Sequence, residues 1–333
     1  MRIVQLKNNK NKNFVALVEE PNLRLITTYE TVYDLANFAL ESNKKITEII
    51  AQNLSNVVLD YDEIYNQNSD YKLIAPITHP VDPRFLMVAG TGLTHKASAE
   101  NRNKMHEALA TDKATDSMKM YQIGVEGGKP LAGAIGAQAE WFYKGNGTVL
   151  KGINEPLYVP NYGNDGGEEP EIAGIYINDK NGVPHRIGFA IGNEFSDHEM
   201  EKKNYLYLAP SKIRNCSIGP ELVLDCDFKN IVGKVEIWRN NSIFWEKEVA
   251  TGEENMCHSL QNLEYHHFKY ENHRVPGDIN VHFFGTVGFS FGVGIRLENN
   301  DEMIINWQNM GRSLKNKLLI NDTPEKLVEI NQI

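Results

Sequence analysis

Three glutamates are the residues of this chain best placed to do chemistry together. Glu169 and Glu171 flank Pro170 at the entrance to the apolar run Ile172 to Ile177, and Glu194 follows in Gly192-Asn193-Glu194-Phe195-Ser196. Side chains two apart on an extended strand point to the same face, so Glu169 and Glu171 can converge, and a second strand can bring Glu194 beside them. Carboxylates gathered that closely repel one another, so either some bind protons or a cation joins them. A hard divalent ion such as Mg²⁺ or Mn²⁺ takes oxygen ligands in an octahedral shell and keeps waters for a substrate to displace, and it suits such a set. The same spacing also occurs in solvated surface charge at loop-to-strand junctions, so the metal expectation needs support from the rest of the chain.

The elements that must position these residues are mainly strands. From Arg84 onward, short apolar runs alternate with Gly, Asn and Asp turns: Phe85 to Val88, Ile172 to Ile177, Ile187 to Ile191, Leu222 to Leu224, Val235 to Trp238, Val281 to Phe284 and Met303 to Ile305. The best helical candidate in this region is Ser98 to Leu109. Residues 1–75 read differently, as a small α/β unit. Val15 to Val18 and Leu23 to Ile26 suit short strands, and Thr31 to Ala51 has apolar residues at helical recurrence, as one helix or a pair broken near Ser42-Asn43. The polar stretch Asn66 to Asp70, followed by Pro76, Pro80 and Pro83, marks the boundary. The expectation is an α+β chain, with a small N-terminal α/β domain over 1–75 and a mainly β domain over 76–333.

The composition fits this outline. At 333 residues, with 41% apolar and 23% charged side chains, the chain has material for a substantial core. A net charge of -10 and a pI near 5.5, without a wide basic cluster, argue against a nucleic-acid partner. No apolar run is long enough for a membrane span, and Met1 to Leu6 followed by Lys7-Asn8-Asn9-Lys10 reads as a first strand and not as a signal peptide. Cys216, Cys226 and Cys257 are odd in number and form no Cys-x-x-Cys, which suits a reduced, cytoplasmic setting.

A set of short motifs gives the glutamates their company. Val88-Ala89-Gly90-Thr91-Gly92-Leu93-Thr94-His95, Phe142-Tyr143-Lys144, Glu169-Pro170-Glu171, Gly192 to Ser196, Lys212 before Ile218-Gly219-Pro220, Gly285-Thr286-Val287-Gly288 with Gly292-Val293-Gly294, and Asn309 to Asn316 occur in this order. In that order they resemble the fumarylacetoacetate hydrolase superfamily, over residues 85 to 317, in a branch that includes sugar-acid dehydratases. The resemblance implies a β-rich catalytic domain, a divalent metal (Mg²⁺ or Mn²⁺) held by Glu169, Glu171 and Glu194, and a small-molecule 2-oxo acid or β-diketone substrate. Many members have Asp at the third ligand position, where this chain has Glu194. The resemblance also implies that Lys212 and Thr286 contact substrate: Lys212 holds or protonates a substrate oxygen, and Thr286 with the backbone at Gly285 binds its carboxylate. A dimer or a pair of dimers is implied as well.

In such a site a 2-oxo acid would chelate the metal, and the cation would stabilise the enolate formed when a proton leaves C3; loss of the C4 hydroxyl follows. The expected activity is therefore metal-dependent dehydration of a 2-keto-3-deoxy sugar acid of pentonate type. Hydrolysis of a carbon-carbon bond in a 2,4-dioxo acid is the alternative, and it needs an activated water. His95 with Glu100 resembles the pair that activates water in hydrolytic members, although their spacing of five differs from the expected three, and His95 also suits a hydrogen-bonded structural role. A sugar-acid-binding protein without turnover is a third expectation.

The remaining histidines predict little chemistry. His266-His267 is expected on a strand, where adjacent residues diverge, and His106-Glu107 and His198-Glu199 lack the second histidine of a zinc-protease motif. Gly90-Thr91-Gly92 lacks the third glycine of a dinucleotide fingerprint and suits a turn, while Gly288 to Gly294 suits a substrate-side loop.

Overall fold

The computed structural model describes residues 1–97, 99–100 and 115–333. Two sheets dominate it. The larger has 13 strands, with a main path in the spatial order Leu54–Asp60, Asn22–Ile26, Asn13–Glu19, Arg2–Asn8, Leu222–Val223, Pro184–Asn193, Pro170–Asn178, Ile279–Phe283, Leu86–Gly92 and Glu140–Asn146. The smaller has five strands in the order Ser242–Thr251, Ile231–Arg239, Glu302–Trp307, Leu314–Ile320 and Leu157–Val159. Every apolar run singled out in the sequence lies wholly or largely within one of these strands.

The central strand Pro170–Asn178 is buried along its whole length, which explains why its sequence is a continuous apolar run without polar alternation. Its two faces feed different cores. Ile172 and Tyr176 join a cluster with Val235, Ile305 and Trp307 of the smaller sheet. Ala173, Ile175 and Ile177 join a second cluster with Leu35, Ala36, Ala39, Ile49 and Ile50. Those last residues belong to the helices Val32–Ser42 and Ile46–Gln52. Of the two alternatives for Thr31 to Ala51, one helix or a pair, the structure has the pair. Thr31 and Asp34 form a reciprocal cap at its start, and Asn43, at φ 51°, ends the first helix at the expected break.

The hydrogen-bonded sheet crosses the boundary expected near residue 75. Arg2–Asn8 pairs with Tyr71–Ile74, and its first residues also pair with Leu222 and Val223. Around the same junction, buried Glu221 accepts hydrogen bonds from Tyr61 Oη at 3.0 Å and the Arg312 amide at 3.0 Å, and its other oxygen lies 2.9 Å from Arg2.

Two helices depart from the sequence reading. His266 and His267 lie on the helix Leu260–Phe268, not on a strand. Ser259 caps its start by accepting from the Asn262 amide, and Leu260, Leu263, His267 and Phe268 recur on its buried side. The two imidazoles still diverge, His266 towards the Gly136 carbonyl at 2.9 Å and His267 towards Asn280 at 3.1 Å. Asp116–Gly127 is also helical, started by Thr115. Its apolar residues are too few and too scattered to have signalled it. The helix expected at Ser98 to Leu109 falls largely outside the described residues. Among the described residues no helix is long and apolar enough to cross a membrane.

Candidate metal centre

The site lies where the antiparallel strands Pro170–Asn178 and Pro184–Asn193 meet. Their register places Pro170 opposite Asn193 and Glu171 opposite Gly192. The pairing continues one step further, since the Glu194 amide donates to the Glu169 carbonyl at 3.0 Å and the Glu169 amide donates to Asn193 Oδ1 at 3.2 Å. A side chain at Gly192 would meet the Phe283 ring at 2.5 Å, so glycine there lets the strands close over the ring. Trp307 reaches across from the smaller sheet and donates its indole N–H to the Glu171 carbonyl at 3.0 Å.

This backbone brings Glu169, Glu171 and Glu194 together, each offering a carboxylate oxygen within 4.8 Å of the others, and all three are buried. Burial pushes the Glu171 carboxyl well above the usual carboxylate range, and the charges of Glu194 and Glu169 add to that push. Burial also raises Glu194, with Lys144 and Lys212 opposing. At Glu169 burial is outweighed by Lys212 and His198, and its carboxyl stays well below the usual range.

Two lysines enter from separate elements. Lys212, at the end of the short helix Leu208–Lys212, is 1% exposed; its Nζ lies 2.7 Å from both Glu169 oxygens and 3.4 Å from Glu194 Oε2. Lys144 lies on Glu140–Asn146, two residues from Phe142 and on the same buried face. Its Nζ bonds Glu194 Oε1 at 2.9 Å, the Phe195 carbonyl at 2.6 Å and the Lys212 carbonyl at 3.0 Å.

The donor set fits a hard divalent cation. Glu171 Oε2 accepts the Gly285 amide at 2.7 Å, while its Oε1 is buried with no hydrogen-bond partner. A buried carboxylate oxygen left without a donor, among two further carboxylates, is an arrangement that an oxygen-seeking cation satisfies.

Thr286 and Gly285 lie beside the carboxylates. Gly285 has φ 101°, and a Cβ there would come within 2.0 Å of Thr94 Oγ1, so the position requires glycine. Its amide is taken by Glu171, whereas the sequence reading assigned that backbone to a substrate carboxylate. The buried Thr286 hydroxyl has only long contacts, 3.5 Å to the Pro170 and Gly288 carbonyls and 3.4 Å to the Gly288 amide.

His95 and Glu100 take separate partners. His95 is buried, with Nδ1 2.9 Å from Thr94 Oγ1 and Nε2 3.0 Å from Thr251 Oγ1. Burial lowers its pKa to about 3, which keeps the ring neutral. Glu100 is exposed and pairs with Lys96 at 3.7 Å. The pair expected to activate water is not assembled here.

Three residues near the site had no role in the sequence reading. His198 Nε2 lies 2.9 Å from Glu169 Oε1, and its ring stacks 4.5 Å from Phe289 and 5.2 Å from Phe291. Burial opposes charge on this ring, but the bond to Glu169 and the charges of Glu169 and Asp165 raise its pKa. Buried Glu168 accepts from the Ser290 amide at 2.6 Å and the Ser290 hydroxyl at 2.9 Å, which pins the loop after Gly288. Lys144 is the third, and its alternation with Phe142 was the available signal.

No family model matches the chain. Among curated proteins, it is 28% identical over 180 residues to the 2-dehydro-3-deoxy-D-arabinonate dehydratase of Saccharolobus solfataricus. That match covers 53% of this chain, and it spans about half the length of the relative, 54%. Among solved structures, 2-keto-3-deoxy-D-arabinonate dehydratase complexed with magnesium and 2,5-dioxopentanoate superposes with a TM-score of 0.70 at 17% identity, covering 97% of this chain and 100% of that one. A 5-carboxymethyl-2-hydroxymuconate delta-isomerase from Mycobacterium smegmatis superposes with a TM-score of 0.57 at 17% identity, covering 96% and 100%. At these identities the superpositions speak to the fold. Together with the curated relative they bear out the resemblance to the fumarylacetoacetate hydrolase superfamily.

Proposed function

We propose that this chain is a divalent-metal-dependent hydro-lyase that removes water from a 2-keto-3-deoxy sugar acid of pentonate type. The observation that carries this reading is the convergence of Glu169, Glu171 and Glu194 in the interior, with the Lys212 ammonium bonded among them. The curated relative and the magnesium complex of its structural neighbour support the choice of reaction and cation.

A divalent ion, Mg²⁺ or Mn²⁺, would supply Lewis-acid stabilisation of the negative charge that develops on a 2-oxo acid as C3 loses its proton. The chain's own residues do the rest. Glu169, Glu171 and Glu194 would hold the cation among buried side chains, where electrostatic stabilisation is strongest. Lys212 Nζ is the group placed to hold a substrate oxygen or to give a proton to the departing C4 hydroxyl, and the proton taken from C3 makes good that loss, so that one water leaves in all. The loosely held Thr286 hydroxyl can turn to a substrate carboxylate. Gly285 contributes indirectly, since its amide orients Glu171.

Hydrolysis of a 2,4-dioxo acid would need a base for water. Neutral His95, bonded at both nitrogens, and solvent-facing Glu100 do not supply one, which counts against hydrolysis through that pair. The test is to incubate the protein with Mg²⁺ and a panel of 2-keto-3-deoxy pentonates and 2,4-dioxo acids and follow products by mass spectrometry. Loss of one water from a sugar acid is expected. Gain of water with cleavage into two fragments would replace this reading with the hydrolase, and binding without product would replace it with the sugar-acid-binding protein.

A further inference from the structure

We propose that Lys212 is an exchangeable internal counter-ion: its ammonium neutralises Glu169 and Glu194 in the metal-free protein and leaves Glu169 when a divalent cation binds, so Lys212 sets the affinity of the site. This rests on reading Glu169, Glu171 and Glu194 as a metal centre.

The hydrogen-bond geometry at Glu169 carries the inference. Its Oε1 is shared by Lys212 Nζ at 2.7 Å and His198 Nε2 at 2.9 Å, and its Oε2 is bonded to Lys212 Nζ at 2.7 Å. A carboxylate oxygen has two lone-pair sites, so Oε1 is fully used. Glu169 therefore has one lone-pair site left, on Oε2, to offer a metal while the ammonium stays. An ammonium and a divalent ion on one buried carboxylate would also repel each other across a few ångströms in a poorly screened interior. One of them has to yield.

The two lysines are held by different kinds of partner. Lys144 is tied to the Phe195 and Lys212 backbone carbonyls as well as to Glu194, so two of its three bonds survive any change at the carboxylates. Lys212 Nζ bonds the carboxylates that the metal would claim, and it lies 4.9 Å from the Phe142 ring centroid, where a cation keeps a favourable π contact as it moves. Its side chain is unbranched and flexible, as a lysine that changes partners requires. The exchange has a functional consequence: the ammonium is released towards a substrate oxygen only once the metal is in place. Metal loading and the availability of the acid are then one event.

The test is calorimetric titration of the metal-stripped protein with Mn²⁺ alone, without substrate, for wild type, Lys212→Met, Lys212→Gln and Lys212→Arg. The two neutral variants are expected to bind Mn²⁺ at least tenfold more tightly than wild type, and Lys212→Arg no more tightly. The metal-free neutral variants should also melt below wild type and show a larger rise on adding Mn²⁺. Lys212→Gln retains a donor to Glu169 and decides the matter if Lys212→Met does not fold. Mn²⁺ affinity in a folded neutral variant equal to or below that of wild type overturns the exchange and leaves the metal site standing. Absence of Mn²⁺ binding in wild type and in every folded variant overturns the metal site as well.

Discussion

Lys144 Nζ lies 2.9 Å from Glu194 Oε1, and both side chains are closed off from solvent. The pair joins the strand Glu140–Asn146 to the turn after Pro184–Asn193 and brings a positive charge to the one glutamate of the cluster that comes from a separate segment. Removing one partner of a buried ion pair leaves an uncompensated charge, which typically costs about 3–5 kcal/mol. Lys144→Met should lose that much stability in urea denaturation of the metal-free protein. A loss below about 1 kcal/mol would mean that Lys212 alone compensates Glu194.

His95 gives a pH dependence of known sign. Its folded pKa of about 3 lies far below the ordinary histidine value of 6.5, so the unfolded chain takes up a proton that the folded protein refuses. The stability associated with its neutral ring is complete above pH 6.5 and is lost as pH falls towards 3. At pH 5 the loss amounts to about 2 kcal/mol. His95→Gln keeps an uncharged polar side chain and cannot take up the proton. Between pH 7 and pH 5 its unfolding free energy should therefore fall by about 2 kcal/mol less than that of wild type. Parallel losses in the two proteins would place the proton uptake elsewhere.

The Glu168–Ser290 contact should hold the loop that runs from Gly288 to Gly294 against the segment that carries Glu169 and Glu171. Ser290→Ala removes the hydroxyl bond at 2.9 Å and leaves the amide bond at 2.6 Å. A buried carboxylate deprived of one donor typically costs about 1–3 kcal/mol. Hydrogen exchange should report faster opening at amides 289 to 294, with Arg2–Asn8 unchanged. Uniform acceleration across the chain would point to global destabilisation instead.

The sequence made the strands and the carboxylates legible for the same physical reason: both are written in local spacing. Glu169 and Glu171 are two apart at the mouth of a fully buried strand, and the antiparallel pairing that delivers Glu194 needs only a short return through Pro184–Asn193. The helices were less legible where burial, not periodicity, decides. His266-His267 read as a strand pair because the run is short and weakly amphipathic, and the Ser259 cap that starts its helix lies outside that run. His198 was passed over because its partner, Glu169, is 29 residues away in sequence and no motif spacing connects them. Lys144 was visible as a motif, but its role depends on carbonyls of Phe195 and Lys212, contacts that only the tertiary structure supplies.

The most direct test of the metal-centre reading is the metal dependence of dehydration in wild type and Glu171→Gln. With metal-stripped protein and the 2-keto-3-deoxy pentonate that wild type turns over fastest, loss of water should require added Mg²⁺ or Mn²⁺ and stop with chelator. Glu171→Gln, which replaces the carboxylate bearing the unpartnered buried oxygen, should lose about a hundred- to a thousandfold in rate, the scale expected for removing electrostatic stabilisation of developing charge. Dehydration that persists in chelator, or that proceeds at the wild-type rate in Glu171→Gln, would contradict the account.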